Sequence, residues 1–318
     1  MSKNKVQYQK GMGLPGFMKA YGTEGQCREM VFRSRWPKGF RCPDCGHDKY
    51  CGIRSRHCFQ CHRCHRCHRQ TSLFSCTIYE QTKLPLTTWF LASYLLTQNK
   101  DGISALNLSR QLGVPYNTAW SVKHKLMQVM LGRGRNQPLS GRVELDDAYW
   151  GGARHGGKRG RGSENKTPFV AAVATTEAGQ PVRMKMHRVK GFRKKEIKNW
   201  GQQQLKKDSH VVTDGLRAFK GLEDAGIGHE AIVTGGGHKS MGVLAFCWVN
   251  TVLGNVKTAM QGTYHAIRPK HLPRYLAEFE YRFNRRFKLD ALVPRLVYAS
   301  VLTPPMPGRL LKLAEAYW

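Results

Sequence analysis

Apolar and polar positions alternate along Val143-Glu144-Leu145-Asp146-Asp147-Ala148-Tyr149-Trp150, the period of a half-buried strand. Val143, Leu145 and Asp147 fall on one face, and Glu144, Asp146 and Ala148 on the other. The pattern predicts a core strand that carries carboxylates, which is costly unless a cation or hydrogen bonds compensate. Phe169–Ala174 is a continuous apolar run and predicts a buried strand. Val182, Met184 and Met186 alternate with Arg183, Lys185 and His187, the pattern of an edge strand. A basic helix is expected over residues 193–206, then an apolar strand, Val211–Thr213, that ends in Asp214-Gly215. A long apolar helix is expected from about Met241 to Met260, and a last long one from Pro269 to Arg286, rich in aromatics and Arg. Beyond Leu289 the chain is apolar and broken by Pro, and its pattern predicts little.

The upstream pattern is helical over residues 84–131. Pro85 suits a first helical turn, and Trp89, Phe90, Leu91, Tyr94, Leu95 and Leu96 form a broad apolar face. A second helix starts at Ile103–Leu106 and stops at Leu112-Gly113-Val114-Pro115. A third opens at Tyr116 and continues through Val122, Leu126, Val129 and Met130. Two helices about a Gly-centred turn, the second carrying Lys123, His124 and Lys125, predict a helix-turn-helix. Arg133–Pro138 reads as a linker.

Charge adds a partner. Lys and Arg number 52 against 21 Asp and Glu, a net charge of +31. A polyanion, above all double-stranded DNA, is the natural partner for such a chain. Gly151–Gly162 is Gly-rich and basic, the composition of a loop that approaches a phosphate backbone; its spacing is wrong for a P-loop. No signal peptide and no apolar run long enough for a membrane span are present, so a cytoplasmic, nucleoid-associated protein is expected.

In a reducing cytoplasm, clustered cysteines point to metal rather than disulfides. Cys42-Pro43-Asp44-Cys45-Gly46 is a zinc knuckle, two thiols that grip one tetrahedral ion with a Gly for the tight turn. Its partner is ambiguous, because Cys58, Cys61, Cys64 and Cys67 recur every three residues. The set Cys42, Cys45, Cys61 and Cys64 is expected to hold Zn2+, with Cys67 as the alternative ligand. His62, His65 and His68 are candidate ligands too, but read rather as solvent-facing or DNA-facing. Asp146 on a strand, Asp214 at a strand end and one more ligand from a late helix would suit a two-metal phosphoryl-transfer site holding Mg2+ or Mn2+. The element order suggests an RNase H-like fold.

These pieces form an ordered set with R-W-P-K-G-F-R-C-P-D-C-G, Q-L-G-V-P-Y-N-T-A-W, V-E-L-D-D-A-Y-W-G-G, V-V-T-D-G and G-T-Y-H-A-I-R-P-K-H-L-P-R-Y-L-A-E-F-E-Y-R-F-N-R-R. The chain resembles bacterial insertion-sequence transposases with an N-terminal zinc ribbon and a DDE catalytic domain, over roughly residues 25 to 290. The resemblance implies that Asp146 and Asp214 are the first two catalytic acids and Lys257 the basic residue of the third motif. Where the family pattern has a Glu, seven residues before Lys257, this chain has Asn250, which places it with an Asn-containing branch. An Asn carbonyl ligates a hard cation without bringing charge. Glu144 and Glu278 are the fallback ligands. Cys76 stands where the family usually has Gly.

The resulting expectation is an α/β protein: residues 1–80 with the zinc ribbon, 81–137 a helix-turn-helix region, 138–290 an RNase H-like catalytic domain, and 291–318 a tail. Its expected function is transposition by Mg2+-dependent nicking and strand transfer at element ends, by an oligomer assembled on DNA. The alternatives are a decayed DNA-binding protein and a nuclease without strand transfer. Trp150, Tyr281 and Phe283 read as core residues. Arg285, Arg286, His265 and His271 are open between DNA contact and plain surface.

Overall fold

Local sequence explains where the first helices start. Thr23 accepts a hydrogen bond from Gln26 N while the Gln26 side chain takes Thr23 N–H, so a capping box opens α2 (Glu24–Arg35) behind the short α1 (Leu14–Tyr21). The computed structural model describes residues 11–53, 58–62, 67–135, 137–151, 166–233, 244–264 and 266–314. These fall into two units. One holds the described residues up to Val129 and those from Arg286 on; the other runs from Met130 to Arg285.

In the first unit, β1 (Tyr50–Ile53), β2 (Cys58–Cys61) and β3 (Gln70–Ser72) form an antiparallel sheet in that order. Phe32, Trp36 and Phe59 pack on Phe40 and the buried Cys42 and Cys61. Arg35 Nη1 donates to the carbonyls of Ser72 and Leu73 and so ties α2 to the ribbon. Three helices follow, α3 (Leu86–Gln98), α4 (Ala105–Leu112) and α5 (Tyr116–Arg135). Ser104 caps α4, and Gly113, at φ +64°, ends it in the left-handed conformation that favours glycine. The helix-turn-helix pattern is therefore present in outline. Its third helix runs on through Arg135, where the sequence suggested a linker already begun.

Cys76 has φ +59°, a backbone position that suits the Gly usual in the family.

In the second unit, β4 (Arg142–Trp150), β5 (Thr167–Thr175) and β6 (Pro181–Arg188) form an antiparallel meander. After α6 (Lys194–Gln204), β7 (His210–Thr213) pairs parallel to β4, and β8 (Gly228–Ala231) pairs parallel to β7. The sheet order is β6-β5-β4-β7-β8, which makes β6 the edge its alternation predicts. Two helices complete the unit, α7 (Cys247–Thr263) and α8 (Leu272–Phe283). The strand β8 and the 3-10 segment Arg217–Ala225 before it had no clear sequence signal.

Alternation sorts the core by sheet face. Val143, Leu145, Val170 and Ala172 pack with Ile197 and Trp200 of α6 and with Phe219 and Leu222. Ala148, Phe169, Ala171 and Val173 pack with Val249, Val252 and Val256 of α7 and Leu276 and Phe279 of α8. Trp150 and Phe283 pack against this second core, and Tyr281 is buried, so all three are structural as expected. The result is the mixed α/β, three-layer arrangement of an RNase H-like domain, preceded by a zinc ribbon.

The tail also has structure. Leu292–Val301 is a helix, α9, with Leu292, Val293, Leu296 and Val297 buried, and Gly308–Leu313 is a short α10.

Candidate functional site

Register brings the acids together. Glu144 pairs with Val212, so two residues on, Asp146 lies level with Asp214, just past the C-terminal end of the parallel strand β7. Gly215 makes that end sharp: its φ is +84°, and a Cβ there would meet Val233 Cγ2 at 3.0 Å. Leu216 N donates to Asp214 Oδ1 at 3.1 Å, and Asp147 N donates to Asp146 Oδ1 at 2.8 Å. Carboxylate oxygens of Asp146, Asp147 and Asp214 all lie within 4.8 Å of one another. Asp147 is the residue that strand alternation missed, because alternation assigned it to the other face. The signal available was the Asp-Asp doublet itself.

Electrostatics mark the site. Burial pushes the Asp146 carboxyl up to about 6, and the negative charges of Asp147 and Asp214 push the same way. Against them act the Asp147 N–H and the Lys257 ammonium on α7. Half-buried groups of all-oxygen donors with too little positive charge suit a hard divalent cation.

The fallback ligands are engaged elsewhere. Glu144 is buried and accepts from Trp248 N at 2.9 Å and Val249 N at 3.0 Å, so it holds the N-terminal turn of α7 against β4. Arg142 pairs with its other oxygen at 3.2 Å. Glu278 is fully buried, bonded to Arg282 Nη1 at 2.6 Å and to the Tyr264 hydroxyl at 3.1 Å. Asn250, half-buried, follows directly on the turn that Glu144 holds, and Lys257 lies two turns further along the same helix.

The ribbon brings together Cys42, Cys45, Cys61 and Cys67. Cys64 lies outside the described residues, as does His65. Sγ atoms stand 3.7 Å apart for Cys42 and Cys67, and 3.5 Å for Cys45 and Cys61. A tetrahedron of sulfurs at ordinary Zn–S lengths has edges of about 3.8 Å. The backbone N–H of His47 is the main cause that brings the Cys45 thiol down to about 7, favouring the thiolate a metal needs. This set fits Zn2+, with Cys67 rather than Cys64 in the described geometry. His62 and His68 are exposed.

The helix-turn-helix residues differ from expectation. Lys123 is buried and donates to the Ile103 carbonyl, while His124 is buried and stacked on Trp120 at 4.0 Å. Lys125 is half-buried beside Trp89, its pKa lowered by burial. Their burial draws them into the packed side of α5, whereas Tyr116 and Asn117 at its start are exposed. His271 is buried, pushed down to about 4 chiefly by burial. His265 lies outside the described residues, as do residues 152–165 of the Gly-rich loop and residues 234–243 before α7. Arg285 stacks on Tyr281 at 3.9 Å and Arg286 on Phe287 at 4.2 Å, so neither is only a solvated helix end. Among the described residues, no helix is long and apolar enough to cross a membrane.

Two predictions follow from this geometry. Metal analysis should find zinc in the parent protein, Cys67→Ser should lose it, and Cys64→Ser should keep it; the reverse outcome for the two variants would restore Cys64 as ligand. The second concerns Asp146, whose ordinary value is 3.8. Without divalent cations the folded protein holds this proton more tightly than the unfolded chain. The associated stability is complete below about pH 3.8 and is lost as pH rises through about 6. Asp146→Asn should therefore stabilise the metal-free fold at pH 7.5, by on the order of 2 kcal/mol, and give no gain at pH 4. Denaturant midpoints in chelator measure this, and destabilisation at pH 7.5 would contradict it.

Comparison with known proteins agrees with the architecture. Residues 22–70 match the transposase zinc-ribbon domain, and residues 138–284 match the ISXO2-like transposase domain. An uncharacterized protein in the transposable element ISH50 of Halobacterium salinarum is 24% identical over 283 residues, covering 83% of this chain and 92% of that protein. A ribbon whose four thiols suit zinc, followed by an α/β domain that gathers its acids at one sheet end, is the same succession that these matches describe. Over these two segments the chain is similar, in order, to the zinc ribbon and the DDE domain of insertion-sequence transposases.

Proposed function

We propose that the protein nicks DNA at the ends of its own insertion sequence and joins the freed ends to target DNA, using Mg2+ or Mn2+ held by Asp146 and Asp214. The observation that carries this reading is the gathering of Asp146, Asp147 and Asp214 within 4.8 Å in a transposase domain. Bound there, two divalent cations would activate the attacking oxygen and stabilise the leaving one at a phosphodiester. Asp146 and Asp214 supply the charge that holds them, and Asn250 adds a neutral oxygen. Lys257 offsets carboxylate charge and would meet a phosphate of the bound DNA. Glu144 acts by orientation, fixing the start of α7 on the strand that carries Asp146. Strand transfer is the same displacement with a 3′-hydroxyl in place of water.

DNA binding follows from the family and the +31 charge. The base-reading surface is proposed to be the first turn of α5, since HTH proteins present that turn to the major groove. The protein is proposed to work as an oligomer on paired ends, in the cytoplasm and on the nucleoid.

A nicking and joining assay on the element's own ends, with Mg2+, tests the chemistry. Asp146→Asn and Asp214→Asn should abolish nicking while DNA binding persists. Asn250→Ala should lower nicking by about tenfold and be partly rescued by Mn2+. Near-normal nicking by either Asp variant would remove that residue from the site, and nicking without joining would make the protein a nuclease. Asn117→Ala should weaken binding to the element end by about 1–3 kcal/mol while leaving nonspecific binding unchanged. Equal loss on both DNAs would discard α5 as the reader.

A further inference from the structure

The loop that carries Asp214 is held from behind by three side chains that do not belong to the carboxylate group. Thr213, the last residue of β7, is fully buried. Its Oγ1 accepts from Gly215 N at 3.3 Å and lies 2.9 Å from His229 Nε2 on β8. His229 Nδ1 lies 3.0 Å from Glu223 Oε1, and the His229 side chain is only 2% exposed. An ionised carboxylate only accepts, so Nδ1 carries a proton. In the neutral ring Nε2 then accepts from the Thr213 hydroxyl, whose lone pair takes the Gly215 N–H. Donation runs in one direction, from Gly215 to Thr213, to His229, to Glu223, and leaves no member unmatched.

The arrangement looks like a nucleophile triad, but a hydroxyl with no solvent exposure cannot reach a substrate. What the chain of bonds reaches is the backbone on the far side of Asp214. Thr213 Oγ1 fixes Gly215 N, and the next amide, Leu216 N, fixes Asp214 Oδ1. Thr213 O also accepts from Ile232 N at 2.9 Å, so the strand end is held on both its carbonyl and its hydroxyl.

We propose that His229 is a positioning residue that, through the Thr213 hydroxyl and the Gly215 amide, sets the Asp214 carboxylate for divalent-cation binding. This rests on Asp214 being a metal ligand, as proposed above. Hydrogen bonds made to a ligand commonly change metal affinity by about 10–100-fold, and His229, which acts through two intervening groups, is expected at the low end of that range.

The two ring nitrogens can be tested separately. His229→Gln places an amide oxygen near the Nε2 position and keeps the bond to Thr213. His229→Asn keeps a donor towards Glu223 and loses Thr213. Mn2+ binding by the full-length, DNA-free protein, read from the electron paramagnetic resonance of free Mn2+, separates them without any reaction. His229→Gln should bind within about threefold of the parent, and His229→Asn about tenfold more weakly, at similar melting temperatures. Thr213→Ser and Thr213→Val should repeat the contrast, the hydroxyl being kept in one and lost in the other. This second pair decides if His229→Asn fails to fold. Equal Mn2+ affinity within both pairs would show a purely structural role and overturn the inference. Asp214→Asn is the control. Parent-like binding in that variant overturns the metal-site reading and the inference with it. Lost binding there, with parent-like binding in His229→Asn, overturns the inference alone.

Discussion

Carboxylates of Asp146, Asp147 and Asp214, crowded within 4.8 Å at one end of a sheet, repel one another, and much of the second unit can be understood as holding them there. Burial first, and then the like charges of Asp147 and Asp214, raise the pKa of Asp146. Such an arrangement persists only when its surroundings are rigid. The sheet supplies that rigidity from two sides. Ile197, Trp200 and Phe219 press on one face, and Val249, Val252 and Phe279 on the other. Register does the rest, since parallel pairing of β4 with β7 fixes which residues meet at the strand ends.

The other acids of the unit show how selective the arrangement is. Glu144 spends its charge on two amides at the start of α7. Glu278 is matched to Arg282 and Tyr264 in the core. Glu280, pushed up to about 7 mainly by burial, accepts from Met186 N. Each of these could have served as a third ligand by composition alone. Their partners take them out of contention, which leaves Asn250 on α7 as the third ligand proposed above. In the ribbon the balance is different. Its apolar core is a small group of aromatics around Phe40, too little to order a short three-stranded sheet by burial alone. The four thiols therefore stand where a metal would contribute folding energy directly.

The sequence showed β4 and β6 by their alternation and β5 and β7 by their continuous apolar runs, whereas β8, Gly-His-Glu-Ala, has neither signal. It showed Asp146 and Asp214 because each ends or interrupts an apolar run. It did not show Asp147, because the closeness of its carboxylate depends on side-chain direction at the strand end rather than on strand period. It misjudged Lys123, His124 and Lys125, since basic residues suggest a DNA-facing side, whereas Lys123 here satisfies the Ile103 carbonyl from within the core. The choice among four evenly spaced cysteines was not available from spacing, because every neighbouring pair has the same period; only the fold of β2 and its return places Cys67 against Cys42. The tail was silent because Pro residues interrupt its periodicity, and its helix is defined by burial of Leu292, Val293, Leu296 and Val297.

The central claim is that Asp146 and Asp214 share a divalent cation. Anomalous diffraction from crystals of the protein soaked in Mn2+ tests it most directly. The account predicts a peak ligated by oxygens of both Asp146 and Asp214, with Asn250 facing the same site. Manganese bound only at other residues, or Asp146 and Asp214 left without it at saturating concentration, would contradict the account.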